Sequence, residues 1–263
     1  MSLRALDILR SVDIIAAEDT RVSSKLLAHY GIHTKPISLH AHNEKHSVAP
    51  VLAALAQEKS IALICDAGTP GISDPGTFLV HAARSAGYAV VPIPGANAAI
   101  TALSVAGLTN PHFLFYGFLP HQQGARRKEL EALRTLPYTL VFYESPHRVI
   151  ASLTDMRATL GGDRVIVLAR EITKLFETIH ACTLNELLVW IQSDANQIRG
   201  EFVLIVQGAE LASELPTAEI TRVLRLLLEK MSLTDATKLT SEITGEKKNK
   251  VYEIALALKD GCA

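Results

Sequence analysis

The chain has 263 residues, of which 48% are hydrophobic and 20% charged, and its formal net charge is −1. That composition excludes a disordered chain and gives room for a real core, while the near-zero charge excludes a general attraction to polyanions, so any contact with nucleic acid must come from local patches. Three cysteines, Cys65, Cys182 and Cys262, stand far apart without C-x-x-C spacing, which suggests neither a disulfide framework nor a thiolate metal site and fits a reduced compartment.

Taken in order, the first segment, MSLRALDILRS, is amphipathic rather than signal-like, and no apolar run reaches the roughly 18 to 20 residues that cross a bilayer. A cytoplasmic protein without membrane contact is expected. Short β-branched runs then recur, DIIAAE, IALICD, YAVVPI, YTLVFYE, RVIVLARE and EFVLIVQG, and each is a predicted strand. Between them VLAALAQEK, FLVHAARSAG, RKELEALRTL, RVIASLTDMRATLGG and LNELLVWIQS have helical periodicity, several ending at Gly or turn residues. The alternation predicts an α/β fold with sheets covered on both faces. Gly107, Asn110 and Pro111 interrupt the pattern in SVAGLTNPHFLFYG, which places one α/β domain at 1–108 and a second at 109–210, with a ligand cleft where they meet. The remainder, 211–263, reads as a module of three helices, TAEITRVLRLLLEKM, LTDATKLTSEIT and NKVYEIALALKD. The basic turn GEKKNK before the last of these suits a reader of nucleic acid, and equally a helical cap with a solvated charge run.

Two turns stand out. CDAGTPGISDPG follows the apolar run IALI and spends three glycines, two prolines and two aspartates on one loop, without the G-x-G-x-x-G pattern or the lysine of a P-loop. Stiffened at Pro70 and Pro75, it offers backbone N–H and C=O groups at close range, a set that suits a cation or a neutral heterocycle more than a phosphate. A sulfonium cofactor is such a ligand. PIPGANAAITALSVAGL runs from a strand through a Pro-Gly turn into an Ala-rich helix, whose small side chains admit either a flat ligand or close packing on a sheet.

DAGTPGISDPG, PGANAAITALSVAGL, GFLP, YESPHR, LAREITKLFET and GEFVLIVQG, in this order and spacing, resemble the tetrapyrrole methylase superfamily, in its branch that methylates small-subunit ribosomal RNA. The resemblance covers nearly the whole chain. It implies two α/β domains of the class III methyltransferase type that clamp S-adenosyl-L-methionine between them without a metal, a homodimer, and 2′-O-methylation of a cytidine in the decoding region of 16S ribosomal RNA on the 30S subunit. The cofactor contacts it implies are Asp66, Ala67, Gly68, Thr69, Pro70 and Ile72, then Asn97 and Ala98, Tyr143 and Glu144, and Glu201 and Phe202. The family also opens with a strand and a loop of the type ATPIGNL-x-D, which this sequence lacks ahead of SLRALDIL. The expectation is a sequence shortened relative to the working protein, with an exposed strand edge and one wall of the site missing.

Methyl transfer to a ribose hydroxyl needs alignment of the acceptor and a base to draw off its proton. Ionisable clusters just past predicted strand ends supply candidates. Glu18, Asp19 and Arg21 are expected on the acceptor side, with Glu144 and Lys174 second, although such clusters also suit surface ion pairs and helix caps. Arg126, Arg127 and Lys128, and Lys247, Lys248 and Lys250, are the candidate RNA contacts. His40, His42 and His46 have a spacing that could ligate zinc, but no closed ligand set accompanies them and no metal is expected. Other branches of the superfamily leave a tetrapyrrole or protein acceptor as the alternative, and a shortened, catalytically impaired RNA binder as a third reading.

Overall fold

The computed structural model describes residues 1–40, 44–210 and 217–259. Two compact units divide at Gly208 and Ala209.

The first unit contains two sheets. The first is three-stranded and parallel, in the order β2-β1-β3. Its elements run α1 (Leu3–Ser11), β1 (Ile14–Ala17), α2 (Thr20–His29), β2 (Pro36–Ser38), α3 (Glu44–Leu55), β3 (Ile61–Ile64) and α4 (Thr77–Ser85). Ser2 caps α1 and Asp19 caps α2, each side chain accepting a first-turn N–H, so both helices start where the sequence places a capping side chain. Ile15, Ala16 and Ala17 are fully buried, because β1 is the central strand with helices packed against it.

The run YAVVPI forms no strand. Residues 88–93 join no ladder, and Val90 and Val91 are exposed. A strand exists only by its neighbours' hydrogen bonds; among the described residues β3 pairs with β1 alone, so its far edge and this segment are both left without a ladder.

The second sheet has five strands, in the order β4-β5-β8-β6-β7, with β4 and β5 parallel and the other pairs antiparallel. After α5 (Ala98–Ala106) the chain runs β4 (Phe113–Phe118), α6 (Gln123–Leu133), β5 (Thr139–Glu144), α7 (Val149–Leu160), β6 (Val165–Arg170), β7 (Thr178–Thr183), α8 (Leu184–Ser193) and β8 (Phe202–Val206). One face is covered by α6, α7 and α8 through Leu130, Leu153, Met156 and Leu187. The other is covered by α5, whose Ala99, Ala102 and Ala106 pack on Val141, Val167, Ala169, Val203 and Ile205. Small residues let this helix lie close to the sheet. Sequence alone assigned α5 to residues 1–108, whereas its buried face belongs to the second sheet.

Strands β4 and β7 were not foreseen, because Gly117 breaks the first and polar residues interleave the second. Between α6 and α7 the fully buried carboxylate of Asp155 receives the guanidinium groups of Arg126, at 2.6 Å, and Arg127, at 2.7 Å.

The second unit holds α9 (Thr217–Leu228), α10 (Leu233–Thr244) and α11 (Lys248–Lys259). Ile220, Leu224, Val251 and Ala255 form its core. Ser232 caps α10 and Gly245, left-handed at φ 70°, ends it, so a tight turn delivers Lys247 and Lys248 to the start of α11.

Candidate active site

Parallel pairing sets Ala17 beside Ile64, so the chains leaving β1 and β3 emerge together at one edge of the first sheet. Their first residues bond across the gap: the Asp66 N–H donates to Glu18 Oε2 at 3.3 Å, and the Asp19 N–H donates to Asp66 Oδ1 at 3.2 Å. The 65–76 loop then crosses toward the second sheet. Thr69 Oγ1 donates to the carbonyl of Ala96 at 3.3 Å, and Ser73 lies against Gly117, where a Cβ would stand 3.0 Å from its Oγ. Gly117 marks a register break in β4, and only a residue without a side chain leaves that approach open. Ser73 itself holds a positive φ of 65°, a strained value for a residue with a Cβ.

From the second sheet come Asn97 and Tyr143. The Asn97 side chain caps α5 through the Ile100 N–H, and the Ala99 N–H donates to the Tyr143 hydroxyl at 3.2 Å. Phe115 and Phe118 hold the Tyr143 ring edge-on, at centroid distances of 5.0 and 5.6 Å. The first loop, the start of α5 and the end of β5 therefore meet at one place.

That place is acidic. Burial raises the carboxyl of Glu18 above its ordinary value, with Asp74, Asp66 and Asp19 adding repulsion. Asp74 is raised by burial and by Asp66. The Cys65 thiol is pushed up to about 12 by burial, then by Asp74 and Glu18, so it is a protonated, inert side chain. Tyr143 is raised by burial and by Asp74. Asp19 departs from this pattern: hydrogen bonds from Arg21, at 2.6 Å and 3.1 Å, hold its carboxyl well below the usual range.

Other expected site residues fall elsewhere. Glu144 is buried, its carboxylate accepts from the Ser145 N–H at 2.8 Å and from Ser152 Oγ at 2.5 Å, and the Arg148 guanidinium forms an ion pair with it at 3.5 Å. This saturation makes Glu144 a structural anchor for the YESPHR turn rather than a free base. Lys174 Nζ bridges Glu171 and Glu201 at 2.7 and 3.0 Å, and the Glu171 hydrogen bond raises it. Glu201 is exposed at the head of β8, whereas the Phe202 side chain lies in the core, leaving only its backbone for a ligand. Asp66, Ala67, Gly68 and Ile72 are exposed on the loop, Thr69 and Pro70 are half-buried, and Ala98 is exposed at the start of α5.

Arg126 corrects the expectation made of it. At 4% exposure, with its guanidinium on Asp155 and on the carbonyls of Pro120 and His121, it has no face for a phosphate. Arg127 is half-exposed while paired to Asp155, and Lys128 is exposed. Lys247 and Lys248 are exposed, and Lys250 pairs with Glu246 at 3.4 Å. Among the described residues no three His, Cys, Asp or Glu side chains group to hold a metal; His42 lies outside those residues, as does the side chain of His46. Asp74 went unnoticed in the sequence, although its place in the quoted loop, eight residues after Asp66, was the available signal.

Two sheets bridged by a glycine-proline loop are the arrangement that the resemblance to the tetrapyrrole methylases implies, and the comparisons agree. The family model described as Tetrapyrrole (Corrin/Porphyrin) Methylases matches residues 1–188, and the one described as RsmI C-terminal HTH domain matches 214–259. Solved structures of diphthine synthase (TM-score 0.62, 16% identity, 79% of this chain and 84% of that one) and of the methyltransferase CobJ (TM-score 0.59, 18% identity, 80% and 88%) share the fold.

The chain is 49% identical over 253 residues to the ribosomal RNA small subunit methyltransferase I of Escherichia coli O157:H7, covering 96% of this chain and 88% of that one. It is 50% identical over 255 residues to the protein of that name from Vibrio cholerae, with the same coverage. The chain belongs to the tetrapyrrole methylase family and, within it, groups with these small subunit methyltransferases. The methyl donor of the family is S-adenosylmethionine. The site fits such a donor: its sulfonium and ammonium groups are cations, and the loop brings the carboxyls of Asp66 and Asp74 beside that of Glu18 at the end of β1, of which Glu18 and Asp74 are raised partly by carboxylate neighbours.

Proposed function

We propose that this chain transfers the methyl group of S-adenosylmethionine to 16S ribosomal RNA, onto the ribose 2′-hydroxyl of a cytidine in the decoding region. It acts in the cytoplasm on the 30S subunit, as a homodimer. The observation that carries this reading is the acidic meeting of the 65–76 loop with the start of α5 and Tyr143. The identity to small subunit methyltransferases along nearly the whole chain supports the choice of RNA as acceptor.

When bound, the cofactor supplies a methyl carbon activated by a sulfonium leaving group. The chain's own groups do the rest. Backbone atoms of 66–72, with Asn97 and Ala98, hold the donor in position, and alignment of this kind can contribute roughly 7 to 11 kcal/mol to the barrier. Tyr143, whose oxygen accepts from Ala99, keeps its O–H to donate into the cleft.

Glu18 is the base for the ribose hydroxyl. Its raised proton affinity brings it closer to the working pH, and a positioned base is worth about 10²- to 10⁴-fold. Asp19, clamped by Arg21, is the anionic edge against which the ribose is oriented. Lys174, the second-choice acceptor-side candidate, is engaged by Glu171 and Glu201. Arg127, Lys128, Lys247, Lys248 and Lys250 hold the RNA backbone, and the helix–turn–helix α10–α11 presents the last three.

The test is transfer of labelled methyl to unmodified 30S subunits, to free 16S RNA and to a precorrin, followed by nucleoside mass spectrometry. The reading expects 2′-O-methylcytidine from 30S subunits. Label on a base or on the precorrin overturns it.

A further inference from the structure

The loop that carries the proposed cofactor site ends in a helix that cannot cap itself. Gly76 occupies the N-cap of α4 at φ 131°, and it has no side chain to meet the orphan N–H groups of the first turn. A Cβ at this position would stand 2.6 Å from Leu63 Cδ2, the movable end of a side chain, so it is the conformation that demands glycine.

The cap arrives from 32 residues away. Glu44, at the start of α3, is 5% exposed, and its Oε1 accepts from the N–H groups of Gly76 at 2.9 Å, Phe78 at 2.9 Å and Leu79 at 3.4 Å. A buried carboxylate taking three N–H donors at a helix start gains from charge-assisted bonding and from the helix dipole. Its own N–H is anchored on the carbonyl of His40, which follows β2, so the bond network runs from the first sheet through α3 to the exit of the 65–76 loop.

We infer that Glu44 is a positioning residue for the cofactor loop: by fixing Gly76 and the first turn of α4, its carboxylate holds Asp66–Asp74 in the shape that accepts S-adenosylmethionine. The inference rests on the function proposed above. The residue touches neither donor nor acceptor and acts through main chain. The entry to the loop is fixed by β3 and by the Asp66–Glu18 bond, its middle by Thr69 on the Ala96 carbonyl, and Glu44 supplies the hold at its exit.

Calorimetry with S-adenosylmethionine on Glu44→Ala, Glu44→Asp and Glu44→Gln, beside melting temperature and amide hydrogen exchange of each protein without ligand, tests this. Glu44→Ala weakens cofactor binding about tenfold or more, the size of coupling between linked sites, and speeds exchange at Phe78 and Leu79. Steady-state kinetics show it as a raised KM for the cofactor with kcat at saturation nearly kept. Glu44→Gln, which retains the acceptor oxygen, restores most of the affinity, and Glu44→Asp, too short to reach, does not.

A folded Glu44→Ala protein with wild-type affinity overturns the inference. If that variant does not fold, Glu44→Asp with wild-type affinity and unchanged exchange overturns it instead. Should the wild-type protein bind no cofactor, the proposed function fails, and exchange alone then judges Glu44: unprotected amides at Phe78 and Leu79 in Glu44→Asp uphold its hold on the loop, and unchanged ones refute it.

Discussion

Strand β8 is buried at every residue, whereas β3 is only half-buried along its length, although both are short apolar runs of similar composition. The difference lies in their neighbours. β8 has a hydrogen-bonded strand on each side and helices over both faces; β3 pairs on one side only. The second sheet is thus a stiff platform that positions Tyr143 and α5, and the first carries the loops with the reacting groups on a framework where local opening costs less.

The largest effect that can break this contrast lies in the platform. Asp155→Ala leaves the buried Arg126 without its partner and is expected to remove about 3 to 5 kcal/mol of stability, read by denaturant unfolding. A loss comparable to that of an exposed ion pair would mean that the second lobe is not the rigid one.

Glu18→Gln sits at the opposite pole and is expected to reduce methyl transfer by about 10²- to 10⁴-fold without lowering the melting temperature. The folded chain holds the Glu18 proton more tightly than the unfolded chain does. Its contribution is therefore fully present below the ordinary glutamate range and is lost as pH rises through the raised value. The glutamine variant should match wild type in acid and exceed it at neutral pH. Melting curves at several pH values check the sign, and a variant less stable at pH 7 than in acid, relative to wild type, contradicts the assignment.

Gly76→Ala forces a Cβ into Leu63 at a positive φ and is expected to cost about 1 to 3 kcal/mol while damaging cofactor binding more than stability, which separates loop geometry from core packing. The smallest effect is electrostatic. Lys247→Ala and Lys248→Ala are each expected to lower the slope of log affinity for 30S subunits against log salt by about one, measured by filter binding; an unchanged slope removes the lysine from the interface.

Much of this molecule was legible in its residues. LTDATKLTSEIT is α10 to the residue, because Ser232, an apolar stripe and Gly245 mark start, face and stop locally. DIIAAE, IALICD, YTLVFYE, RVIVLARE and EFVLIVQG each contain a strand. YAVVPI has the same β-branched character and is not one, since its state depends on a neighbour that local sequence does not describe. Arg126 and Lys128 read alike as exposed cations, yet helical geometry turns the first onto Asp155 and the second to water.

The residue types alone determined the alternation of strands and helices, the proline-stiffened loop and the helical module, because periodicity, capping and turn chemistry act over a few residues at a time. Tertiary structure alone decided that α5 packs on the second sheet, that Glu144 is spent on its own turn, that Asp74 presses on Glu18 and Cys65, and that Glu44 caps a helix 32 residues away. Those outcomes depend on burial and on charges brought together from distant parts of the chain, and neither is defined until the chain has folded.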